Sequence, residues 1–320
     1  MIRAVYKKYG GPEVLEFTSQ EKPIPKANEI LVKILASSAT RADTLIREGS
    51  PKFGRLFLGV FKPKNTSLGT GFSGEVEEKG SEVTKFKIKD EVFGELLFDS
   101  GTNAEYLCIS EDLIIAKKPK NISHSEAAPI CDGFLTSYSF LKDIANVKEG
   151  QHILINGASG SLGTAAVQLA KQMGAKVTAV CSGKNKELVK NLGADSVIDY
   201  KKQDFTKEDN LYDIIYDTIG KSSYKKCKKV LKKNGIFMSP VLSCETLWFA
   251  IFKPKKVKFS ATGIRKTKDL KRLLSELIPF FKQGKIETVI DKTYKLKDIV
   301  AAHTYINSER KVGNIAILNS

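Results

Sequence analysis

The stretch from His152 to Gly174, HILINGASGSLGTAAVQLAKQMG, constrains the fold more than any other part of the chain. It reads as a buried strand over 152–156, a glycine-rich turn, and a helix with one apolar face over 162–173. Gly174 stands where a helix C-terminal glycine belongs. The turn carries Gly157, Gly160 and Gly163, with Ala158 where the common dinucleotide fingerprint has its first glycine. A pair of phosphates can reach backbone N–H groups at a helix N-terminus only where no side chain obstructs them. A glycine pattern alone is weak; strand, turn and helix in one unit point to a diphosphate site.

The strand-and-helix idiom continues beyond this stretch. Residues 176–181 (KVTAVC), 196–199 (SVID), 212–217 (YDIIYD), 235–239 (GIFMS) and 258–263 read as strands, with helices over 184–192 and 222–231 between them. This alternation predicts a parallel, doubly wound sheet with ligand at the carboxyl ends of its strands. Residues 1–120 read differently. Short alternating runs at 2–6, 15–18, 30–36, 74–79, 91–93 and 104–109, bounded by Gly, Pro, Asn and Asp, predict a β-rich, barrel-like domain with one helix over 40–47. The apolar stretch 123–144 contains Pro129 and Gly133, which predicts two helices or a broken one at the passage into the next domain. After an amphipathic helix over 268–283 the tail returns to the β idiom, with a helix over 296–307, and is expected to rejoin the first domain.

With 320 residues, 42% of them hydrophobic and 28% charged, the chain has material for two soluble domains with cores of their own. No run of about 18 apolar residues occurs, so no membrane span is expected. The opening MIRAVYKKYGG lacks the apolar block of a signal peptide. The five cysteines are scattered, with no CxxC pair, so a reducing, cytoplasmic setting is expected, with no disulfide framework and no structural zinc lobe. A net charge of +16 raises nucleic acid as a partner. The lysines, however, fall in scattered pairs such as Lys117-Lys118 and Lys232-Lys233, with no zinc finger, RNA-recognition signature or basic arm. Solvated helix faces account for them, and a general attraction for phosphorylated small molecules follows.

The strand KVTAVC leads to the position that distinguishes the two nicotinamide cofactors. A NAD site wants an acid near its end to accept from the ribose hydroxyls. Here the chain runs Cys181-Ser182-Gly183-Lys184-Asn185-Lys186, and the first acid is Glu187. A hydroxyl, a glycine backbone and two lysines attract a 2′-phosphate where a carboxylate repels it, which favours NADPH. Spacing does not decide whether Lys184 or Lys186 meets the phosphate.

Three segments, NGASGSLGTAAVQLAK, VTAVCSGKNKELVKNLGADSVIDY and GTGFSGEVEEKGSEVTKFKIKDEVFG, resemble the zinc-independent branch of the medium-chain dehydrogenase/reductases, the quinone-reductase-like proteins. The similarity covers nearly the whole chain. It implies a GroES-like β domain over 1–122, completed by 287–320, and a Rossmann NADPH-binding domain over 123–286. It also implies cofactor contacts. Ser159, Gly160, Ser161 and Leu162 match the pyrophosphate turn; Ser182 and Tyr200, with Lys184 or Lys186, match the 2′-phosphate pocket; Thr136 in FLTSY matches the threonine near the nicotinamide. Gly313 and Asn314 match a tail segment that touches the cofactor, and Val241 and Leu242 follow the fifth strand where backbone meets the nicotinamide end. Relatives of this kind are often dimers, so a homodimer is expected.

Zinc-dependent relatives carry a cysteine where this chain has Thr40-Arg41 and a His-Glu pair where it has Thr70-Gly71-Phe72; the histidines are His124, His152 and His303. A catalytic zinc needs three converging ligands, so no metal is expected. Within ATRADTLIREG, Thr40 replaces the asparagine common in the reductase branch, Asp43 remains, and Leu45 replaces a tyrosine found in some members. Without a metal to polarise an alcohol, hydride transfer from NADPH to an acceptor already electrophilic fits best: a quinone, or the β-carbon of an enone or enal. Thr40, Asp43 and Arg47 are the candidate catalytic residues, Thr40, Arg41 and Arg47 as donors to the developing oxyanion and Asp43 to orient a donor. Asp43 reads equally well as a first-turn helix acid. The aromatic, basic segment 52–64, KFGRLFLGVFKPK, caps the substrate cleft or packs on the β domain. A non-catalytic NADPH-binding protein and, less well, a zinc alcohol dehydrogenase are the competing readings.

Overall fold

The computed structural model describes residues 1–96, 101–209, 211–260 and 262–319. The chain forms two compact units, Met1–Asp132 with Thr267–Ser320, and Gly133–Lys266.

In the first unit, β1 (Ile2–Tyr6) and β2 (Leu15–Ser19) form an antiparallel pair. The long β3 (Glu29–Ala39) is the centre of the larger sheet. Of its eleven residues only Lys33 is exposed, so both faces are covered and its pattern is nearly continuous rather than alternating. It pairs antiparallel with β4 (Gly71–Lys79) and with β6 (Tyr106–Ser110), while β5 (Glu91–Glu95) links β4 to β7 (Ile114–Lys117). Ile30, Val32, Ile34, Phe72, Val76, Val92 and Ile109 fill the core between these strands. The helix Arg41–Glu48 follows β3 directly.

The second unit is one parallel sheet: β8 (His152–Asn156), β9 (Lys176–Cys181), β10 (Ser196–Asp199), β11 (Tyr212–Asp217), β12 (Leu231–Ser239) and β13 (Val257–Phe259). Their order in space is β10-β9-β8-β11-β12-β13. The chain therefore reverses its direction of winding between β8 and β11, and the crevice beyond their carboxyl ends is where such sheets take ligands. This is the doubly wound α/β class expected from the alternation of strands and helices.

The tail comes back to the first unit. β14 (Ile290–Lys295) runs parallel to β15 (Asn314–Leu318), and β15 pairs antiparallel with β3, Ile315 opposite Ala39. Among the elements not expected from the sequence are β7, too short at four residues to show a period, the single-turn helix Arg55–Leu58, and the helix Cys244–Phe252, whose apolar residues follow one another without a helical period. The stretch 123–144 is broken as expected, into the helix His124–Ala127 and wide π-type turns over Cys131–Leu135 and Ser139–Ile144. The helix expected over 222–231 is a single turn, Tyr224–Cys227, because Leu231 already starts β12. The helix Thr267–Lys282 groups with the first unit, where the Asn121 amide donates to the Phe281 carbonyl at 2.9 Å and Lys271 to the Asp112 carbonyl at 2.9 Å.

Candidate active site

In the second unit the strand ends flanking the reversal are latched together. The Asn156 side chain, closing β8, donates to Asp217 of β11 at 3.0 Å. The other Asp217 oxygen accepts from the Ser222 N–H at 2.8 Å, and the Thr218 hydroxyl donates to the Asn156 carbonyl at 2.8 Å. Asp217 is fully buried, and burial pushes its carboxyl above the usual range against the pull of these bonds. The glycine turn follows. A Cβ on Gly163 would lie 2.2 Å from the Gly157 carbonyl oxygen, so only glycine lets the helix Ser161–Gln172 sit this close on the turn. Gly160 is that helix's N-cap, no side chain caps it, and a Cβ there would meet nothing nearer than the Gly157 oxygen at 3.5 Å. An open approach to an uncapped helix N-terminus fits a diphosphate. Ser159, Ser161 and Leu162 stand half-buried around it. The Ser137 hydroxyl donates to the Leu162 carbonyl at 2.9 Å, which brings its buried neighbour Thr136 to the same helix turn.

At the end of β9, Ser182 is buried while Lys184 and Lys186 are exposed; Tyr200, just past β10, is exposed. Two residues here were missed. Asn185 donates from its side-chain amide to the Ser159 hydroxyl at 2.9 Å, tying the lysine segment to the pyrophosphate turn. Asp199 closes β10 opposite Cys181, and its Oδ2 lies 2.6 Å from where a Cβ on Gly183 would be. β9 itself carries no acid at its end, but the neighbouring strand brings one alongside. The adjacency depends on strand register, which no local pattern reveals. Val241 and Leu242 lie half-buried after β12, with the Val241 N–H donating to the Ser239 hydroxyl at 3.1 Å.

In the first unit the segment 40–47 is organised by a capping box. Thr40 caps the helix Arg41–Glu48 through the Asp43 N–H at 3.1 Å, and the Asp43 carboxylate accepts in return from the Thr40 N–H and hydroxyl, both at 2.8 Å. The second Asp43 oxygen accepts from the Gly69 N–H at 3.2 Å. Arg41 bonds Thr44 and Asn307. Arg47 is fully buried: it donates to the Gly10 carbonyl at 3.2 Å, pairs with Glu48 at 3.0 Å and bonds His303 Nδ1 at 2.7 Å. It is a structural tie, and the expectation of a catalytic donor fails at Arg47 because its guanidinium is enclosed and engaged. Gly313 takes a left-handed φ of 61° and Asn314 donates from its side chain to the Val289 carbonyl at 3.1 Å.

A cluster of acids in this unit also escaped the sequence. Burial raises the Asp43 carboxyl to about 6 despite its hydrogen bonds, with Asp132 adding to the rise. Glu95, at the end of β5, is raised to about 8, first by burial and then by Asp132 and Asp43. Its Oε2 has no hydrogen-bond partner among the described residues. Burial lowers half-buried Lys311, against the pull of Asp132 and Asp291. These residues come from a helix, a strand, a wide turn and the tail, so no sequence spacing connects them.

Residues 26–120 match the alcohol dehydrogenase GroES-like domain, and residues 192–317 match the zinc-binding dehydrogenase domain. The 2-methylene-furan-3-one reductase of Solanum lycopersicum is 32% identical over 324 residues, spanning 98% of this chain and 77% of that protein. The chain belongs to the medium-chain dehydrogenase/reductase family. Within it the chain is quinone-oxidoreductase-like. The NADPH-dependent alkenal/one oxidoreductase of Arabidopsis thaliana is 29% identical, covering 98% of this chain and 78% of that protein. The quinone oxidoreductase of Escherichia coli, solved in complex with NADPH, superposes with a TM-score of 0.85 at 26% identity, covering 99% of this chain and 100% of that one. In this dehydrogenase/reductase, no group of three or more His, Cys, Asp or Glu side chains among the described residues is placed to hold a metal ion. No helix among them is long and apolar enough to cross a membrane.

Proposed function

We propose that the chain is an NADPH-dependent reductase that transfers hydride to a quinone or an α,β-unsaturated carbonyl compound without zinc. The observation that carries this reading is the open, uncapped glycine turn beside a strand that leads into Ser182-Gly183-Lys184 with no acid of its own. NADPH, when bound, supplies the hydride. Ser159, Gly160, Ser161 and Leu162 hold its diphosphate at the helix N-terminus. Ser182 and Tyr200, with Lys184 or Lys186, take the 2′-phosphate, and Asn185 fixes their segment to the turn through Ser159. For the nicotinamide end the family resemblance assigns Thr136, Val241 and Leu242 in the second unit, and Gly313 and Asn314 in the first. Thr40 and Asp43 act as positioning residues that set the helix Arg41–Glu48 through their capping box. Zinc independence follows from chemistry: threonine, arginine, glycine and phenylalanine at positions 40, 41, 71 and 72 are not zinc ligands.

Steady-state NADPH oxidation against a panel of quinones, enones and enals, with NADH as control, tests this reading. Turnover should favour NADPH over NADH at least about tenfold in kcat/KM, a difference expected for one well-placed phosphate contact. Equal rates with NADH overturn the cofactor assignment. Tight NADPH binding with no turnover on any acceptor overturns the enzyme reading in favour of a binding protein. Stoichiometric zinc by elemental analysis overturns the metal-free mechanism.

A further inference from the structure

Each unit exposes a short apolar helix that ends in the same four residues. In the first, Lys52–Gly54 and Arg55–Leu58 lead to Phe61-Lys62-Pro63-Lys64; in the second, Cys244–Phe252 leads through Phe252 to Lys253-Pro254-Lys255. Phe57 is 82% exposed and Phe61 95%, with Phe53, Leu56 and Val60 exposed beside them. Trp248 is 60% exposed, with Leu247, Ile251 and Phe252 alongside. Soluble surfaces scatter single apolar residues but do not cluster aromatics this densely without a partner.

The first segment is held firmly at its base. The Tyr9 hydroxyl donates to the Gly59 carbonyl at 2.6 Å. Arg55 lies 4.4 Å over the Tyr9 ring and donates to the Gly49 and Glu48 carbonyls at 3.1 Å. Phe57 and Phe61 therefore project from a fixed platform, and they do not pack on the β domain. Charge of one sign accompanies the first patch, whereas the helix of the second carries the half-buried Glu245 three residues before Trp248. No acid occurs between Glu48 and Glu75, or between Glu245 and Asp269, while Lys52, Lys62, Lys64, Lys253 and Lys255 are exposed.

In the first unit the aromatic and aliphatic tips are bordered by lysines, with no acid in the sequence from 49 to 74, and match the boundary of a bilayer that carries anionic headgroups. We propose that the patch of the first unit docks the protein on an anionic membrane surface, with Phe57 and Phe61 in the headgroup region and Lys52, Lys62 and Lys64 on the lipid phosphates. The inference does not depend on the identity of the acceptor.

The whole protein is sedimented with vesicles of phosphatidylcholine alone and of phosphatidylcholine with phosphatidylglycerol, in low and physiological salt. Binding should be confined to the anionic vesicles. F57S/F61S and K62E/K64E should each reduce the bound fraction at least about tenfold, while circular dichroism shows both variants folded. Equal binding to both vesicle types, or a loss through K62E/K64E with none through F57S/F61S, overturns the proposal. The last of these outcomes marks a general polyanion surface. A dimer in analytical ultracentrifugation that F57S/F61S converts to monomer also overturns it, because a second copy then covers the patch.

Discussion

Asp199 shows how a single neighbour changes a charge argument. Reading β9 alone gives a pocket free of carboxylates, yet Asp199 of the adjoining strand sits against Gly183. One Asp199 oxygen accepts from the Lys201 N–H at 3.1 Å, so part of its charge is held in its own turn. A 2′-phosphate bound by Ser182 and a lysine still feels the remainder. Asp199→Asn should lower KM for NADPH about three- to tenfold at low salt, less at high salt, and leave KM for NADH nearly unchanged. Equal changes for both cofactors would place Asp199 away from the phosphate. Thr40 and Asp43 are a different case, expected as a donor and its orienting acid, with a first-turn helix acid as the equal reading of Asp43. A threonine followed three residues later by an acid before an apolar run is a capping signature, and that is the role the side chains play. Thr40→Ala should cost about 1 kcal/mol of stability. Asp43→Asn should cost roughly 2 kcal/mol, because its new NH2 must face a donor. Urea midpoints measure both. Per folded molecule, kcat should fall only slightly; a loss of several hundredfold would return Thr40 or Asp43 to the chemistry.

Among elements, the parallel sheet was the most legible part. β8, β9, β10 and β11 match their expected bounds because each is a short apolar run between turn residues. What could not be read was the order of strands and hence which strand ends meet. That order makes the segment from Ser182 to Lys186 a single device. It hangs between the buried Ser182 and the Asn185–Ser159 bond, with the two lysines alternating around Asn185 on the exposed side. Lys184→Ala and Lys186→Ala therefore separate cleanly. The lysine that meets the phosphate should raise KM for NADPH about tenfold when removed, and the other less than about twofold, with KM for NADH unmoved in both. Asn185→Ala should raise KM for both cofactors, since it loosens the diphosphate turn as well. If neither lysine variant discriminates NADPH from NADH, the 2′-phosphate is held elsewhere.

For the molecule as a whole, the sequence conveyed two domains and a returning tail but not the buried charges that this return encloses. β15 lies against β3, and the tail helix Ile299–Asn307 brings His303 against Arg47. Burial, and then the Arg47 charge, depress His303 to about 3. Unfolded, the imidazole titrates near 6.5, so below that pH the unfolded chain takes up a proton that the folded chain refuses. Stability from this group is full above pH 6.5 and falls as pH drops, by about 1.4 kcal/mol per unit, or roughly 2 kcal/mol at pH 5. Glu95 acts in the other direction. Its folded value of about 8 lies above the ordinary 4.5, so the folded chain keeps a proton that the unfolded chain releases. That contribution is full below pH 4.5 and is lost as pH rises to 8. His303→Asn keeps an acceptor for Arg47 and removes the titration, so its stability relative to the parent should rise as pH falls below 6.5. Glu95→Gln keeps the shape without the charge, so its relative stability should rise by at least about 2 kcal/mol between pH 4.5 and 8. Urea unfolding at a series of pH values gives both difference curves, provided the slope m is unchanged. A flat curve for Glu95→Gln would mean that the cluster around Asp43 and Asp132 is hydrated, and one for His303→Asn that the tail helix opens to water before the core unfolds.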